Sequence, residues 1–196
     1  MNNKRDYLVI LSDVVSACNE SRGVTYIMMA SGLNYMQVRR YLREAINKKF
    51  VRIVDSKSRN LYMATARGLE FIKIIKELGG LISGDFVGCS ASSITPVPVD
   101  VADMLENSKS SRRGKLDLYA CILFQALTPI SLTVLCNRCF MNRVNCVGIV
   151  KELVGINLLK KYGGSSDKRI KALYGTTNKG LCYLHNYMKV IMLLRP

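Results

Sequence analysis

The chain has 196 residues, with 29 Lys and Arg against 14 Asp and Glu, a formal net charge of +15 and a single histidine. That length accommodates one large domain or two of about 80 to 100 residues. Charge of that sign points to polyanions, with nucleic acid first, an anionic membrane surface second and an acidic protein third. One histidine leaves little for a His-dependent nucleophile or a multi-histidine metal centre, and neither a Gly-Lys-Ser/Thr phosphate loop nor a dinucleotide fingerprint occurs, so no enzyme and no cofactor is expected.

The opening Met1-Asn2-Asn3-Lys4-Arg5-Asp6 lacks the apolar core of a signal peptide, and seven cysteines sit irregularly along the chain. Reduced thiols and a cytoplasmic, nucleoid-associated location are the expectation. Tyr7, Leu8, Leu11, Val14 and Val15 fall at helical spacing and predict an amphipathic first helix. After Arg22-Gly23 a short helix begins near Thr25 and breaks at Gly32. Asn34 is a candidate N-cap for a longer helix to about Lys49, because its side-chain oxygen can accept from free first-turn amides.

At about 100 degrees per residue, Val38, Leu42, Ala45 and Ile46 gather on the core side of that third helix, flanked by Tyr35 and Tyr41. Met36, Gln37, Arg40, Arg43, Glu44 and Asn47 lie opposite, with Arg39 at the edge. Arg40 and Glu44 also have the i,i+4 spacing of an ordinary helix ion pair. Two short strands, Phe50 to Val54 and Leu61 to Ala64, flank the polar hairpin Asp55 to Asn60, and Thr65 opens a helix over Leu69 to Leu78.

Residues 79–111 are rich in Gly, Ser and Pro and read as a linker, with Val99 to Leu105 as a short helix inside it. The charge divides accordingly, roughly +7 before this stretch, −3 within it and +11 after it. Leu118 to Asn137 carries no charge over about the length of a membrane span. Gln125, Thr128, Pro129, Ser131 and Thr133 make its middle polar and proline-broken, which favours helix, turn and helix, so no membrane partner is expected.

Shifted by 108 positions, the first half falls weakly but in order on the second. Asn34 meets Asn142, Met36 meets Val144, Val38 meets Cys146, Leu42 meets Val150, and Phe50-Val51 meets Leu158-Leu159. Thr65-Ala66-Arg67-Gly68-Leu69 meets Thr177-Asn178-Lys179-Gly180-Leu181 at a shift of 112, so the second copy has a longer hairpin. Its strands are expected over Leu158 to Tyr162 and Arg169 to Tyr174, and its closing helix over Leu181 to Leu194. Helix, helix, helix, strand, strand, helix is thus predicted twice.

That order, the phrase Tyr41-Leu42-Arg43-Glu44-Ala45-Ile46-Asn47-Lys48-Lys49-Phe50-Val51 and the Thr65-Ala66-Arg67-Gly68 helix entrance resemble the archaeal-type winged helix-turn-helix regulators. The resemblance implies an α+β, mostly α fold: two tandem winged helix-turn-helix domains, residues 1–78 and 112–196, the second with a long C-terminal helix. It also implies a DNA-binding transcriptional regulator or chromosome-associated protein. The alternative is a tandem winged-helix protein-interaction scaffold in a transcription or membrane-remodelling assembly.

On the DNA reading, Gln37, Arg39, Arg40, Arg43 and Asn47 address the major groove of double-stranded DNA, since Arg can bridge guanine and Asn or Gln can pair with adenine. Lys57 and Arg59 on the hairpin would touch phosphate or reach a minor groove, with a simply solvated hairpin tip as the alternative. In the second copy Val147 and Gly148 stand where Arg39 and Arg40 stood, and cations including Arg143, Lys151, Lys168, Arg169 and Lys171 are suited to phosphates beside an apolar face for a protein partner. Leu184, Tyr187, Met188 and Ile191 form a stripe on the last helix, read as a homodimer seam with core packing as the alternative. Cys136, Cys139, Cys182 and His185 have metal-like spacing, but they lie on expected helices, where buried cysteines serve as small hydrophobes, so no metal is expected.

Overall fold

The computed structural model describes residues 5–56, 59–84, 114–163 and 172–195. They divide into two compact units, Met1–Glu77 with Lys189–Pro196, and Leu78–Met188.

The first unit begins with α1 (Tyr7–Ser16), whose N-cap Asp6 accepts from the Leu8 amide and whose Leu8, Leu11, Val14 and Val15 are buried. Helix α2 (Val24–Ser31) ends where Gly32 enters the left-handed region at φ 62°, a conformation glycine adopts without a Cβ penalty. Arg5 caps that end by donating to the carbonyls of Ser31 and Gly32, placing a cation at the negative end of the helix dipole. Helix α3 (Tyr35–Asn47) starts from a reciprocal capping box, with the Gln37 amide donating to Asn34 Oδ1 and the Asn34 amide to Gln37 Oε1.

Strands β1 (Val51–Ser56) and β2 (Arg59–Ala64) form an antiparallel hairpin, and an isolated bridge pairs Arg22 with Tyr62. The ladder reaches Asp55↔Asn60 and Ser56↔Arg59, further than the side-chain pattern predicts, because backbone donors and acceptors pair whatever the polarity of their side chains. Helix α4 (Ala66–Ser83) continues through Gly79-Gly80, where a linker is expected. Leu78 and Leu81 are fully buried on either side of that pair, so packing overrides the low helix propensity of glycine. The rest of the expected linker, with the short helix over Val99 to Leu105, lies outside the described residues.

The second unit runs α5 (Lys115–Gln125), β3 (Ile130–Ser131), α6 (Leu132–Arg138), α7 (Arg143–Gly155), β4 (Leu159–Tyr162), β5 (Leu173–Thr176) and the part of α8 (Asn178–Leu194) up to Met188, the rest of that helix belonging to the first unit. Its three strands pair antiparallel in the order β3-β5-β4.

Atom pairs recur between the units at the spacing read in the sequence. The bridge Arg22↔Tyr62 corresponds to Ile130↔Tyr174. Left-handed Gly32 and Lys49 correspond to left-handed Phe140 and Asn157. Asn142 caps α7 through the Asn145 amide as Asn34 caps α3. The Thr65 hydroxyl donates to the Lys49 carbonyl at 2.6 Å and accepts from the Gly68 amide; Thr177 donates to the Asn157 carbonyl at 2.8 Å and accepts from Gly180. A Cβ on Gly68 would overlap the Phe50 carbonyl, and one on Gly180 the Leu158 carbonyl, so both positions require glycine for the helix to approach the strand.

Candidate nucleic-acid interface

Helix α3 is fixed from one side. Val38, Leu42 and Ala45 are buried, Tyr41 is nearly so, and Ile46 is half-buried. The Tyr7 hydroxyl of α1 donates to the Glu44 carboxylate, so Glu44 serves that contact and the Arg40–Glu44 ion pair allowed by the spacing is not the one formed. Burial and this carboxylate together push the Tyr7 phenol well above its ordinary pKa, keeping it a donor at any physiological pH.

The opposite side faces solvent. Met36 is 75% exposed, and Gln37, Arg39, Arg40, Arg43 and Asn47 are exposed too. Among the described residues, ion pairs join Arg5 to Asp13, Arg22 to Glu20 and Lys115 to Glu152, and none takes up Arg39, Arg40 or Arg43. Arg39 lies over the Tyr35 ring at 5.8 Å and Arg40 over the Tyr41 ring at 5.6 Å, contacts that orient the guanidinium groups without neutralising them. Gln37 spends its side-chain oxygen on the capping box, so its part in base reading is smaller than the sequence suggests.

Met29 is 80% exposed at the end of α2, and Tyr26 and Tyr35 are about half exposed. Nothing in the sequence singles out Tyr26 and Met29, since the run Tyr26-Ile27-Met28-Met29 looks like core and only Ile27 is fully buried, while Tyr35, expected to flank the core, is half exposed. Arg52, exposed on β1, was also missed, as strand alternation gave no reason to single it out. Arg59 opens β2 opposite Ser56, while Lys57, Lys168, Arg169 and Lys171 lie outside the described residues.

In the second unit the outward positions of α7 carry Val144, Gly148, Lys151 and Gly155, with Arg143 exposed at its first residue. The dimer seam expected on the last helix needs correction. Leu184, Tyr187 and Met188 are buried in the chain itself and Ile191 is half-buried, so the stripe is core packing. The Tyr187 hydroxyl donates to Asp117 Oδ1 at 2.7 Å, which turns that side chain inward.

The expectation of uniformly reduced cysteines is also corrected. Cys136 and Cys146 are disulfide-bonded with Cα atoms 5.7 Å apart, because the end of α6 and the first turn of α7 bring their inward faces together. This removes Cys136 from the four-residue set considered for zinc, and among the described residues no cluster of His, Cys, Asp or Glu is arranged to hold a metal. Burial pushes the Cys18 thiol up to about 12, and its Sγ donates to the Val14 carbonyl, so it behaves as an inert core group. No helix among the described residues is long and apolar enough to cross a membrane.

Residues 4–83 match the family model of the winged helix-turn-helix. Those residues form a winged helix-turn-helix domain. Helices α2 and α3 are its helix-turn-helix, and the β1–β2 hairpin is its wing. The match does not extend past residue 83, so one such domain is established where the sequence leads one to expect two. No curated protein matches the chain significantly in sequence.

Solved structures with some likeness include Sso10a-2, a DNA-binding protein from Sulfolobus solfataricus, at 17% identity and TM-score 0.39 over 55% of this chain and all of that one. ScpB from Mycobacterium tuberculosis is similar at 12% identity and TM-score 0.28, over 90% of this chain and 93% of that one. The DIP2311 protein from Corynebacterium diphtheriae follows at 10% identity and TM-score 0.26, over 87% of this chain and 26% of that one. These likenesses are too slight to bear on function.

Proposed function

We propose that this protein is a non-enzymatic, double-stranded-DNA-binding regulator or chromosome-associated protein of the cytoplasm, and that α3 of the winged helix-turn-helix domain enters the major groove. The observation that carries this reading is the outward face of α3, where Met36, Arg39, Arg40, Arg43 and Asn47 are exposed together and no carboxylate among the described residues neutralises the arginines. Arg40, Arg43 and Asn47 supply donors to base edges or phosphates, and Met36 offers an apolar contact suited to a thymine methyl. The wing residue Arg52 holds register on the backbone.

The second unit, on this reading, is a second winged helix. Its support is the repeated element order, the paired Asn caps, the paired left-handed residues and the two Thr-x-x-Gly helix entrances. With Val144 and Gly148 on its third helix it reads no bases, and Lys160 and Lys161 contribute charge toward phosphate.

Fluorescence anisotropy with a labelled mixed-sequence duplex at two salt concentrations tests the reading. Wild-type affinity should fall steeply with salt, and the Arg40→Ala/Arg43→Ala variant should bind about tenfold to a hundredfold more weakly at low salt. Absence of binding at low salt, or a variant as tight as wild type, would overturn it.

A further inference from the structure

We propose that the helix-turn-helix of the second unit, α6, its turn and α7, is a docking surface for an acidic amphipathic helix of a partner protein. The proposal is independent of DNA binding by α3.

The first argument compares matched positions. Along α3 the outward stripe is Met36, Arg40, Arg43 and Asn47; along α7 the same register gives Val144, Gly148, Lys151 and Gly155, opposite the buried Cys146, Val150 and Leu153. Three of the four places thus present aliphatic or bare backbone surface. Val144 is 81% exposed, Phe140 in the turn is 64% exposed, and Val134 on α6 is exposed as well. Apolar side chains exposed on one supersecondary element, where they form a contiguous patch, are suited to a protein partner.

Two backbone features point the same way. A Cβ on Gly148 or Gly155 would meet nothing within 4 Å, so packing within the chain does not demand glycine there, although glycine weakens a helix interior. Bare helix surface lets another backbone come close. Phe140 adopts φ 50° at the position where the first unit has Gly32, a backbone conformation that costs energy for a residue with a bulky side chain.

Charge selects the partner. Among the described residues of the second unit the carboxylates are Asp117 and Glu152, and both are engaged: Asp117 by the Gly114 amide and the Tyr187 hydroxyl, Glu152 by Lys115 at 2.6 Å. Arg138, Arg143 and Lys151 are exposed on the same two helices and meet no carboxylate among the described residues. An apolar centre with a cationic rim complements a helix bearing a leucine-type stripe edged by Asp or Glu. DNA would answer the cations but not the Val and Gly stripe, which has no donors for base edges. The Cys136–Cys146 bond ties α6 to α7 beneath this face and fixes it before binding, which lowers the ordering cost of association.

The probe is a labelled synthetic peptide with Leu at helical i, i+3, i+4 and i+7 positions and Glu elsewhere, titrated into the full-length oxidised protein. Controls are a scrambled peptide of equal composition and one with Lys in place of Glu. Saturable binding is expected for the Glu helix alone, weakened about tenfold by Phe140→Asn/Val144→Ser and by Gly148→Gln, and unchanged by Arg40→Ala/Arg43→Ala. Asn tolerates the left-handed conformation, and circular-dichroism melts confirm that each variant is folded. No binding, equal binding of the scrambled peptide, or indifference to both variants overturns the proposal. Loss of DNA affinity in Phe140→Asn/Val144→Ser would assign the face to nucleic acid, and loss of self-association would assign it to a second copy; either also overturns it.

Discussion

Glu44 lies one helical turn beyond Arg40 on α3. Its spacing from Arg40 is right for an ion pair, yet the Tyr7 hydroxyl takes the carboxylate and leaves Arg40 available on the outer face. Tyr7→Phe should therefore lower stability by about 1.5–3 kcal/mol, the usual worth of a hydrogen bond to a charged group, with DNA affinity little changed. Chemical denaturation alongside anisotropy checks both, and a large loss of affinity with unchanged stability would contradict this assignment. The exposed face of α3 was legible because helical periodicity alone sorts Val38, Leu42 and Ala45 from Arg39, Arg40, Arg43 and Asn47. The Cys136–Cys146 bond was not, since two cysteines on different helices reveal their facing only once the helices pack.

Among the elements, the two Thr-x-x-Gly entrances make the most specific claim. Each threonine bridges the left-handed residue that ends the preceding helix and the first turn of the next, and each glycine lets that turn lie against a carbonyl. Gly68→Ala and Gly180→Ala should each destabilise by about 2–3 kcal/mol through backbone overlap, whereas Gly148→Ala and Gly155→Ala, which face open space, should be neutral or stabilising. Thermal melts of the four variants decide this, and equal effects in all four would contradict it. Helix order and helix caps were readable from Asn34, Thr65 and their counterparts Asn142 and Thr177, and the end of α2 from Gly32. Strand β3 was missed because two residues, Ile130-Ser131, carry no periodicity and owe their strand to pairing with β5. The extension of α4 past Gly79-Gly80 was missed because Leu81 reveals its burial only in tertiary context.

Across the whole chain, the net charge of +15 narrows the partner to a polyanion but not the surface that meets it. The geometry separates two candidate faces: the arginine-bearing face of α3 and the Val and Gly face of α7, built on one element order but with different side chains outward. On the proposed function, DNA is read by the first of these. Amide chemical shifts of the isotopically labelled protein, followed while a mixed-sequence duplex is added, test it most directly. The largest changes are expected along Tyr35–Asn47 and the end of α2, with small changes on the outward positions of α7. Changes concentrated at Val144, Gly148 and Gly155, or none in α3, would contradict it.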